Sequence, residues 1–182
     1  QLPLMERASD RAIYTLMWCG LMDGDLNRVL RAAAMTPRPF LQDSNVAQAK
    51  DVLIGQAYSR AGKQNLAQQH FRKAELVVRE RMQLKPGEQT DHLRIAHAVS
   101  ALGRKAEAAR EIATVEAAWR EEMTFGRSRL LAVTYGAIGD AERAAPYIER
   151  ALNGSPVVTD HTLLLDPRWD ALRGQPAFDA IL

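Results

Sequence analysis

The fold of this chain is decided by residues 54–74, whose sequence is IGQAYSRAGKQNLAQQHFRKA. Gly62 stands near its centre, where a left-handed backbone residue would end one helix and lead into a second. Residues at fixed positions relative to this glycine have characteristic sizes. The residue seven before it is small, the one four before is bulky, the one five after is alanine, the one nine after is large and apolar, and the one twelve after is small (Gly55, Tyr58, Ala67, Phe71 and Ala74). Small side chains let two antiparallel helices approach closely, and large ones fill the grooves between them. The stretch therefore predicts a helix pair.

The pattern occurs again around Gly103 and Gly139, at spacings of 41 and 36 residues. The equivalent residues around these two glycines are Ala96, Val99, Ala108, Ile112 and Val115, and then Ala132, Tyr135, Ala144, Ile148 and Ala151. A degenerate fourth copy is predicted around Gly24-Asp25, with Met17 and Val29 at the small positions. A period of this size is typical of stacked helix pairs, in which neighbours bury a shared core. Such arrays usually bind partners.

These motifs resemble the tetratricopeptide repeat (TPR) family. The family's Leu-Gly-x-x-Tyr signature appears as Ile54-Gly55 with Tyr58 and as Leu131-Ala132 with Tyr135, and in a weaker form as Ile95-Ala96 with Val99. The positions of its second helix match Ala67, Phe71 and Ala74, and the closing proline appears as Pro156. The resemblance covers residues 45–156 and implies an all-α fold, an α-α superhelix (TPR solenoid) of about three clear and one degenerate helix-pair repeats plus a C-terminal capping segment.

We expect one solenoid domain over residues 1–182, with a degenerate repeat at 9–36, TPR-like repeats at 45–84, 89–123 and 126–156, and a cap at 160–182. Helices are predicted near 9–22, 25–35, 45–61, 64–84, 89–102, 104–123, 126–138 and 141–153, with short ones near 167–173 and 176–181. Asp43 or Ser44 is predicted to cap the third helix. Pro146 requires the eighth helix to start late or to kink, because proline removes a helical hydrogen bond.

The tail contains Asp166-Pro167-Arg168-Trp169, which predicts an N-cap followed by proline at the first helical position. On physical grounds the tail covers the open end of the solenoid. Residues 165–178 also resemble the closing segment after such repeats in bacterial regulators with winged-helix DNA-binding heads, adenylate cyclases and Ser/Thr protein kinases. This resemblance implies the regulatory C-terminal region of a larger bacterial protein. Because the sequence begins at Gln1, we expect a piece of a longer chain.

Bulk properties restrict the environment and the partners. A net charge of +2 is too near balance to indicate nucleic acid, and no nucleic-acid-binding module is recognisable. Cys19 is the single cysteine, so the chain has no intrachain disulfide; this favours a reducing compartment and leaves the bacterial cytoplasm and the periplasm both open. The longest uncharged run, residues 12–22, is too short to cross a bilayer, so we expect no membrane insertion by this segment.

Catalytic and metal-binding motifs are not found in the sequence. His92 and His97 are five residues apart, which places them on different sides of a helix. There is no glycine-rich phosphate loop and no Gly-x-Ser-x-Gly elbow. We therefore expect no enzymatic activity, no metal and no cofactor.

The candidate binding surface is the concave groove that the first helix of each pair would line. The residues predicted to face it are Arg11, Tyr14 and Trp18, then Val52, Gln56, Ser59 and Arg60, then Leu93, Arg94, His97 and Ser100, and finally Arg129 and Val133. Four of them are arginine, one is histidine and none is acidic. Because guanidinium groups bind carboxylates in bidentate fashion, an acidic peptide or a free C-terminal carboxylate is the expected ligand. Tyr14 and Trp18 are also compatible with a place in the core or at an interface with upstream sequence.

Three functions remain open from the sequence. The first is a protein–protein interaction scaffold that docks a peptide or partner segment in the basic groove. The second is a small-ligand sensor that relays binding to a separate output domain. The third is self-association, with a homo-oligomer formed through the apolar first helix pair.

Overall fold

The computed structural model describes residues 9–42, 47–154 and 158–182. These residues form an all-α fold with one short β-hairpin. Ten helices and two strands lie within this described part: α1 (Asp10–Asp23), α2 (Leu26–Ala33), β1 (Phe40–Gln42), β2 (Ala47–Ala49), α3 (Lys50–Arg60), α4 (Gln64–Leu84), α5 (Gln89–Ala101), α6 (Lys105–Trp119), α7 (Phe125–Ile138), α8 (Ala141–Leu152), α9 (Asp160–Leu165) and α10 (Pro176–Asp179). The first eight helices form four consecutive pairs, as the glycine period predicts.

All four pairs turn at a glycine in the left-handed region, with φ of 69°, 73°, 84° and 74° at Gly24, Gly62, Gly103 and Gly139. In each turn the glycine N–H donates to the carbonyl three residues back, over 2.8–3.2 Å. The next N–H donates to the carbonyl five residues back, over 2.8–3.1 Å. This Schellman arrangement satisfies carbonyls that the end of a helix would leave without donors. The predicted turn is confirmed in all four pairs, including the degenerate first one.

The small residues predicted to bring the paired helices together are buried. The side chain five positions after each turn glycine is fully buried in every pair: Val29, Ala67, Ala108 and Ala144. At Gly55 an added Cβ would lie 2.5 Å from the Phe71 ring, so α3 and α4 pack too closely there for any side chain. Close helix packing therefore depends on these particular positions.

The chain divides into two compact units, Gln1–Pro86 and Gly87–Leu182, and each is described by itself. In the first unit, side chains of α1, α2, β1 and α3 share one apolar cluster, whose largest buried members include Ile13, Met17, Leu41 and Leu53. Burial of this shared apolar surface is what holds the helix pairs of the unit together.

The β-hairpin lies between the first two helix pairs and was not predicted. Strand β1 pairs antiparallel with β2, with Phe40 opposite Ala49, and the Lys50 N–H donates to the Pro39 carbonyl over 2.8 Å. The third helix therefore begins at residue 50, and the predicted start at 45 is wrong. The proposed caps Asp43 and Ser44 lie outside the described residues.

Helix α4 has 21 residues and α3 has 11, so α4 continues well beyond its partner. Near its end the Arg81 guanidinium lies 5.1 Å from the centre of the Phe40 ring, a cation–π contact with the hairpin. The hairpin thus supports the part of α4 that α3 does not reach. This contact gives the unusually long predicted helix a packing partner.

The second unit consists of α5–α6, α7–α8 and the tail. In the tail, Trp169 and Phe178 are buried and stacked, with ring centroids 6.3 Å apart. The Asp166 side chain accepts from the Arg168 N–H over 2.9 Å with Pro167 at the first helical position, so the predicted cap is confirmed.

Three predicted boundaries in the second unit change. The predicted helix 167–173 is a 3₁₀ turn at Pro167–Trp169, and the last helix ends at residue 179 and not at 181. Helix α6, predicted to reach residue 123, ends at Trp119 and is followed by a 3₁₀ turn, Arg120–Glu122. Helix α9 was not predicted; Thr159 caps it, accepting from the Thr162 N–H over 3.2 Å. Short segments such as these contain too few residues for a helical period to show in the sequence.

Pro146 lies inside α8. That helix begins at Ala141, directly after the Asp140 cap, whose side chain accepts from the Arg143 N–H over 3.1 Å. A late start is therefore wrong. The proline has an exposed position, where the missing hydrogen bond leaves a carbonyl that water can reach. Pro156, the predicted closing proline, lies outside the described residues.

Among the described residues, no helix combines the length and the apolar character that spanning a membrane requires.

Candidate binding faces on the first helices

Six of the predicted binding residues lie on the two first helices of the first unit, and we call this set the α1–α3 face: Arg11, Tyr14, Trp18, Gln56, Ser59 and Arg60. Arg11, Tyr14 and Trp18 are spaced i, i+3 and i+7, so they share one side of α1. Gln56 and Arg60 are spaced i, i+4 on α3. The two arginines are exposed, whereas the other four side chains are half-buried.

The aromatic pair of the α1–α3 face is half-buried. The Tyr14 and Trp18 rings are nearly parallel, with an interplanar angle of 2° and centroids 6.3 Å apart. Both side chains pack against the apolar cluster of the unit from its edge. The structure thus supports the alternative that these aromatics belong partly to the core, while part of each ring stays accessible.

The start of α3 lies beside the end of α2. The Lys50 Nζ, at the start of α3, donates to the carbonyls of Ala33 and Thr36 over 3.3 and 2.6 Å, at the end of α2. The end of α2 lies beside the start of α1, since the pair is antiparallel and the Arg38 Nη1 donates to Asp10 Oδ1 over 2.9 Å. Arg11 lies in the first turn of α1, and Arg60 is the last residue of α3.

Ser59 takes part in the turn between α3 and α4. The Gln64 Nε2 donates to the Ser59 Oγ and to its carbonyl oxygen, both over 3.4 Å. Val52, predicted beside these residues, is almost completely buried and contributes to the core.

The polar residues predicted to face the groove in the second unit lie on α5 and α7, and all but His97 are buried: Arg94, His97, Ser100 and Arg129. Arg94 is 4% exposed and pairs with Asp91, which is 1% exposed and lies three residues earlier on the same helix. Arg129 is 6% exposed, and Leu93 and Val133 are buried as well. A partner could reach these guanidinium groups only if the unit rearranged, so their contact with a partner stays a prediction.

His97 and Ser100 join α5 to α7. The Ser100 Oγ donates to the Ala137 carbonyl over 2.8 Å. The Thr134 hydroxyl donates to the Leu130 carbonyl over 2.7 Å, so in its contact with His97 Nε2, at 3.1 Å, the threonine oxygen accepts and the imidazole donates. Burial, and secondly the positive charge of Arg168, lower the pKa of His97 to about 4. A neutral His97 therefore holds the two first helices together at neutral pH.

The tail packs on α7. At Gly136 of α7 an added Cβ would lie 3.1 Å from the Arg168 carbonyl oxygen and 3.4 Å from the Trp169 ring. The Gln175 Nε2 donates to the Gly139 carbonyl over 3.1 Å. The chain's own tail thus contacts the first helix of the last pair.

Two histidine–carboxylate pairs were not anticipated. Asp51 Oδ1 lies 2.7 Å from His70 Nδ1 across α3 and α4, and Glu111 Oε2 lies 2.6 Å from His92 Nδ1 across α6 and α5. Lys73 Nζ also lies 3.4 Å from Asp51 Oδ2. A sequence signal was present, because both pairs occupy positions eleven before and eight after a turn glycine.

In the described part of the chain, no three His, Cys, Asp or Glu side chains are grouped so that they could hold a metal ion. Comparison with protein-family models, with curated proteins and with solved structures gave no match. The resemblance to the TPR family therefore stays a prediction from the sequence motifs.

Proposed function

We propose that the chain is a non-enzymatic, TPR-like interaction module that binds a peptide or partner segment on the faces of its first helices. The observation that carries the proposal is the α1–α3 face, which combines a half-buried aromatic stack with two exposed arginines. Aromatic and arginine side chains are the types that contribute most to binding at protein interfaces. The role as regulatory C-terminal region of a larger bacterial protein belongs to the same proposal and rests on the tail motif alone.

The helical framework is suited to such a role. Each unit contains helix pairs whose turns and buried positions are equivalent, a regularity that favours a repeated binding surface on the first helices. Binding residues on a packed helical framework need little ordering when a partner docks, which lowers the entropic cost of association. The more accessible part of the predicted surface lies in the first unit, because Arg94 and Arg129 are buried in the second.

Site-specific photo-cross-linking tests the proposal. A benzophenone amino acid replaces Gln56 on the α1–α3 face, and a matched control carries it at Gln69, an exposed position of the second helix α4. Each protein is irradiated in native bacterial lysate, and the cross-linked partner is then purified and tested alone. We expect a covalent product from the Gln56 position and little from Gln69. A product from Gln69 alone, or none from either position, contradicts the proposal.

A further inference from the structure

Beyond the binding role, we propose that His70 accepts a phosphoryl group on its Nε2 atom. The donor would carry a labile phosphoryl group, as an acyl phosphate or a phosphoramidate does. The residues that carry this inference lie on α3 and α4: Asp51, Tyr58, His70 and Lys73. None of them belongs to the α1–α3 face, so the inference does not depend on the proposed function.

Two contacts hold the His70 ring in one orientation. Its Nδ1 lies 2.7 Å from Asp51 Oδ1, and the Asp51 side chain is 3% exposed. The Tyr58 ring stacks on the imidazole, with centroids 5.3 Å apart and an interplanar angle of 20°. Because an ionised carboxylate only accepts hydrogen bonds, Nδ1 carries the proton, and the lone pair of the neutral ring is on Nε2. The fold thus selects Nε2 as the nucleophilic nitrogen.

The Nε2 atom of His70 is also accessible. The His70 side chain is 26% exposed, and the ring edge opposite Nδ1 points away from the nearly buried Asp51. In the described part of the chain, Nε2 has no hydrogen-bond partner, and solvent reaches it. His97 differs, because its Nε2 donates to the Thr134 hydroxyl and therefore has no lone pair. A donor can approach the lone pair of His70 without displacing a protein group.

Charges lie where phosphoryl transfer needs them. Attack by Nε2 leaves the imidazole positively charged, and the Asp51 carboxylate on Nδ1 stabilises that charge. Lys73 follows His70 by three residues on α4, and its Nζ lies 3.4 Å from Asp51 Oδ2. Its side chain is 63% exposed, so the ammonium group can turn towards the phosphoryl oxygens. Positioning and charge stabilisation of this kind account for most of the catalysis of phosphoryl transfer.

The transfer balances without another reactant. The Nε2 lone pair forms the new bond to phosphorus. The phosphorus–oxygen bond of an acyl phosphate, or the phosphorus–nitrogen bond of a phosphoramidate, breaks and its electron pair leaves with the departing carboxylate or amine. Nδ1 keeps its proton throughout, and the product is a phosphoimidazolium whose Nδ1–H donates to Asp51.

The other histidines provide internal comparisons. His92 Nδ1 lies 2.6 Å from Glu111 Oε2, but the Glu111 side chain is 22% exposed, so solvent screens its charge more strongly. His161 is exposed and contacts no carboxylate within the described residues. Exposure alone would make His161 the most reactive histidine. The carboxylate contacts predict the opposite order: His70 first, then His92, then His161.

Treatment of the full chain with phosphoramidate, and separately with acetyl phosphate, tests the inference. Mass spectrometry follows the label at each histidine over time, and phosphorus NMR distinguishes Nε2 from Nδ1 products. With at least one reagent, we expect label on His70 Nε2 about tenfold faster than on His161, and the effective reagent identifies the donor class. Equal or faster labelling of His161, label on His70 Nδ1, or no label on His70 from either reagent overturns the inference.

Asp51→Asn keeps the shape of the side chain and an acceptor for Nδ1 but removes the charge. We expect the labelling of His70 to slow about tenfold, to the rate of His161 in the same molecule. Glu111→Gln is the matched control, because it neutralises the acid of the other pair and should leave the His70 rate unchanged.

Lys73→Gln gives a second test at an exposed position, where loss of the fold is not expected. It should slow the labelling of His70 severalfold, since a cation beside the phosphoryl oxygens is removed. Circular dichroism confirms that each variant keeps its helical content. If His70 reacts equally fast in the natural chain, Asp51→Asn and Lys73→Gln, the inference is overturned.

Discussion

Asp51 and His70 form a contact of 2.7 Å between α3 and α4, and the next helix pair contains the same contact with the two residue types exchanged. There the histidine, His92, is on the first helix and the acid, Glu111, is on the second. Asp51 is 3% exposed at its side chain, and both histidines are about one-quarter exposed. Equivalent positions of two repeats thus form the same acid–histidine contact, with the acid on the first helix of one pair and on the second helix of the other.

This exchange predicts that the Asp51–His70 pair can be reversed. Asp51→His and His70→Asp should each lower the free energy of unfolding by about 1–3 kcal/mol, because each places two like groups together in a partly buried site. The double variant should recover more than half of the combined loss, as measured by urea unfolding in a double-mutant cycle. Strictly additive losses would show that the two side chains do not stabilise each other.

The turn glycines should have equal importance. Gly24, Gly62 and Gly103 have positive φ and open space around the Cβ position, so alanine there costs only backbone strain. We expect each single alanine variant to lose about 1–2 kcal/mol in chemical unfolding. If only the Gly24 variant showed a negligible loss, the turn of the degenerate first pair would not be equivalent to the turns of the other repeats.

Gly55 should not tolerate alanine, for a different reason. Its Cβ would lie 2.5 Å from the ring of Phe71, which is itself 5% exposed and cannot move aside. Helix propensity favours alanine by about 1 kcal/mol, but overpacking of a core costs about 1–3 kcal/mol, so we expect net destabilisation. Gly126→Ala is the control, since its nearest neighbour lies 3.9 Å away. Adding Phe71→Leu to Gly55→Ala should restore part of the loss; no recovery would contradict the contact.

Acid should weaken the second unit through His97. Its pKa is lowered from the usual value of 6.5 to about 4 in the folded chain, so the unfolded chain binds the additional proton between these pH values. The stabilisation is fully present above pH 6.5 and is lost as the pH falls towards 4, by up to about 3 kcal/mol. His97→Gln keeps a side-chain donor and does not titrate. Urea unfolding from pH 7 to 4.5 should show a steeper loss for the natural chain than for this variant, and parallel curves would contradict the assignment.

The repeated turns and their buried positions could be predicted because they recur in the sequence at fixed distances from glycine. The hairpin could not, since strands of three residues are too short to show an alternating pattern. For the binding residues, helical periodicity identified the side of α5 that carries Arg94. It could not show that Arg94 is buried beside Asp91, because burial depends on tertiary packing that one helix does not reveal.

The most direct test of the account is fluorine NMR of the chain labelled with 5-fluorotryptophan. Among its three tryptophans, Trp18 lies half-buried on the α1–α3 face, whereas Trp119 and Trp169 are buried in the second unit. The Trp18→Phe variant assigns the Trp18 resonance. On saturation with the cross-linked partner, we predict a shift of the Trp18 resonance and little change in the other two. A bound ligand that leaves the Trp18 resonance unchanged would contradict binding on the α1–α3 face.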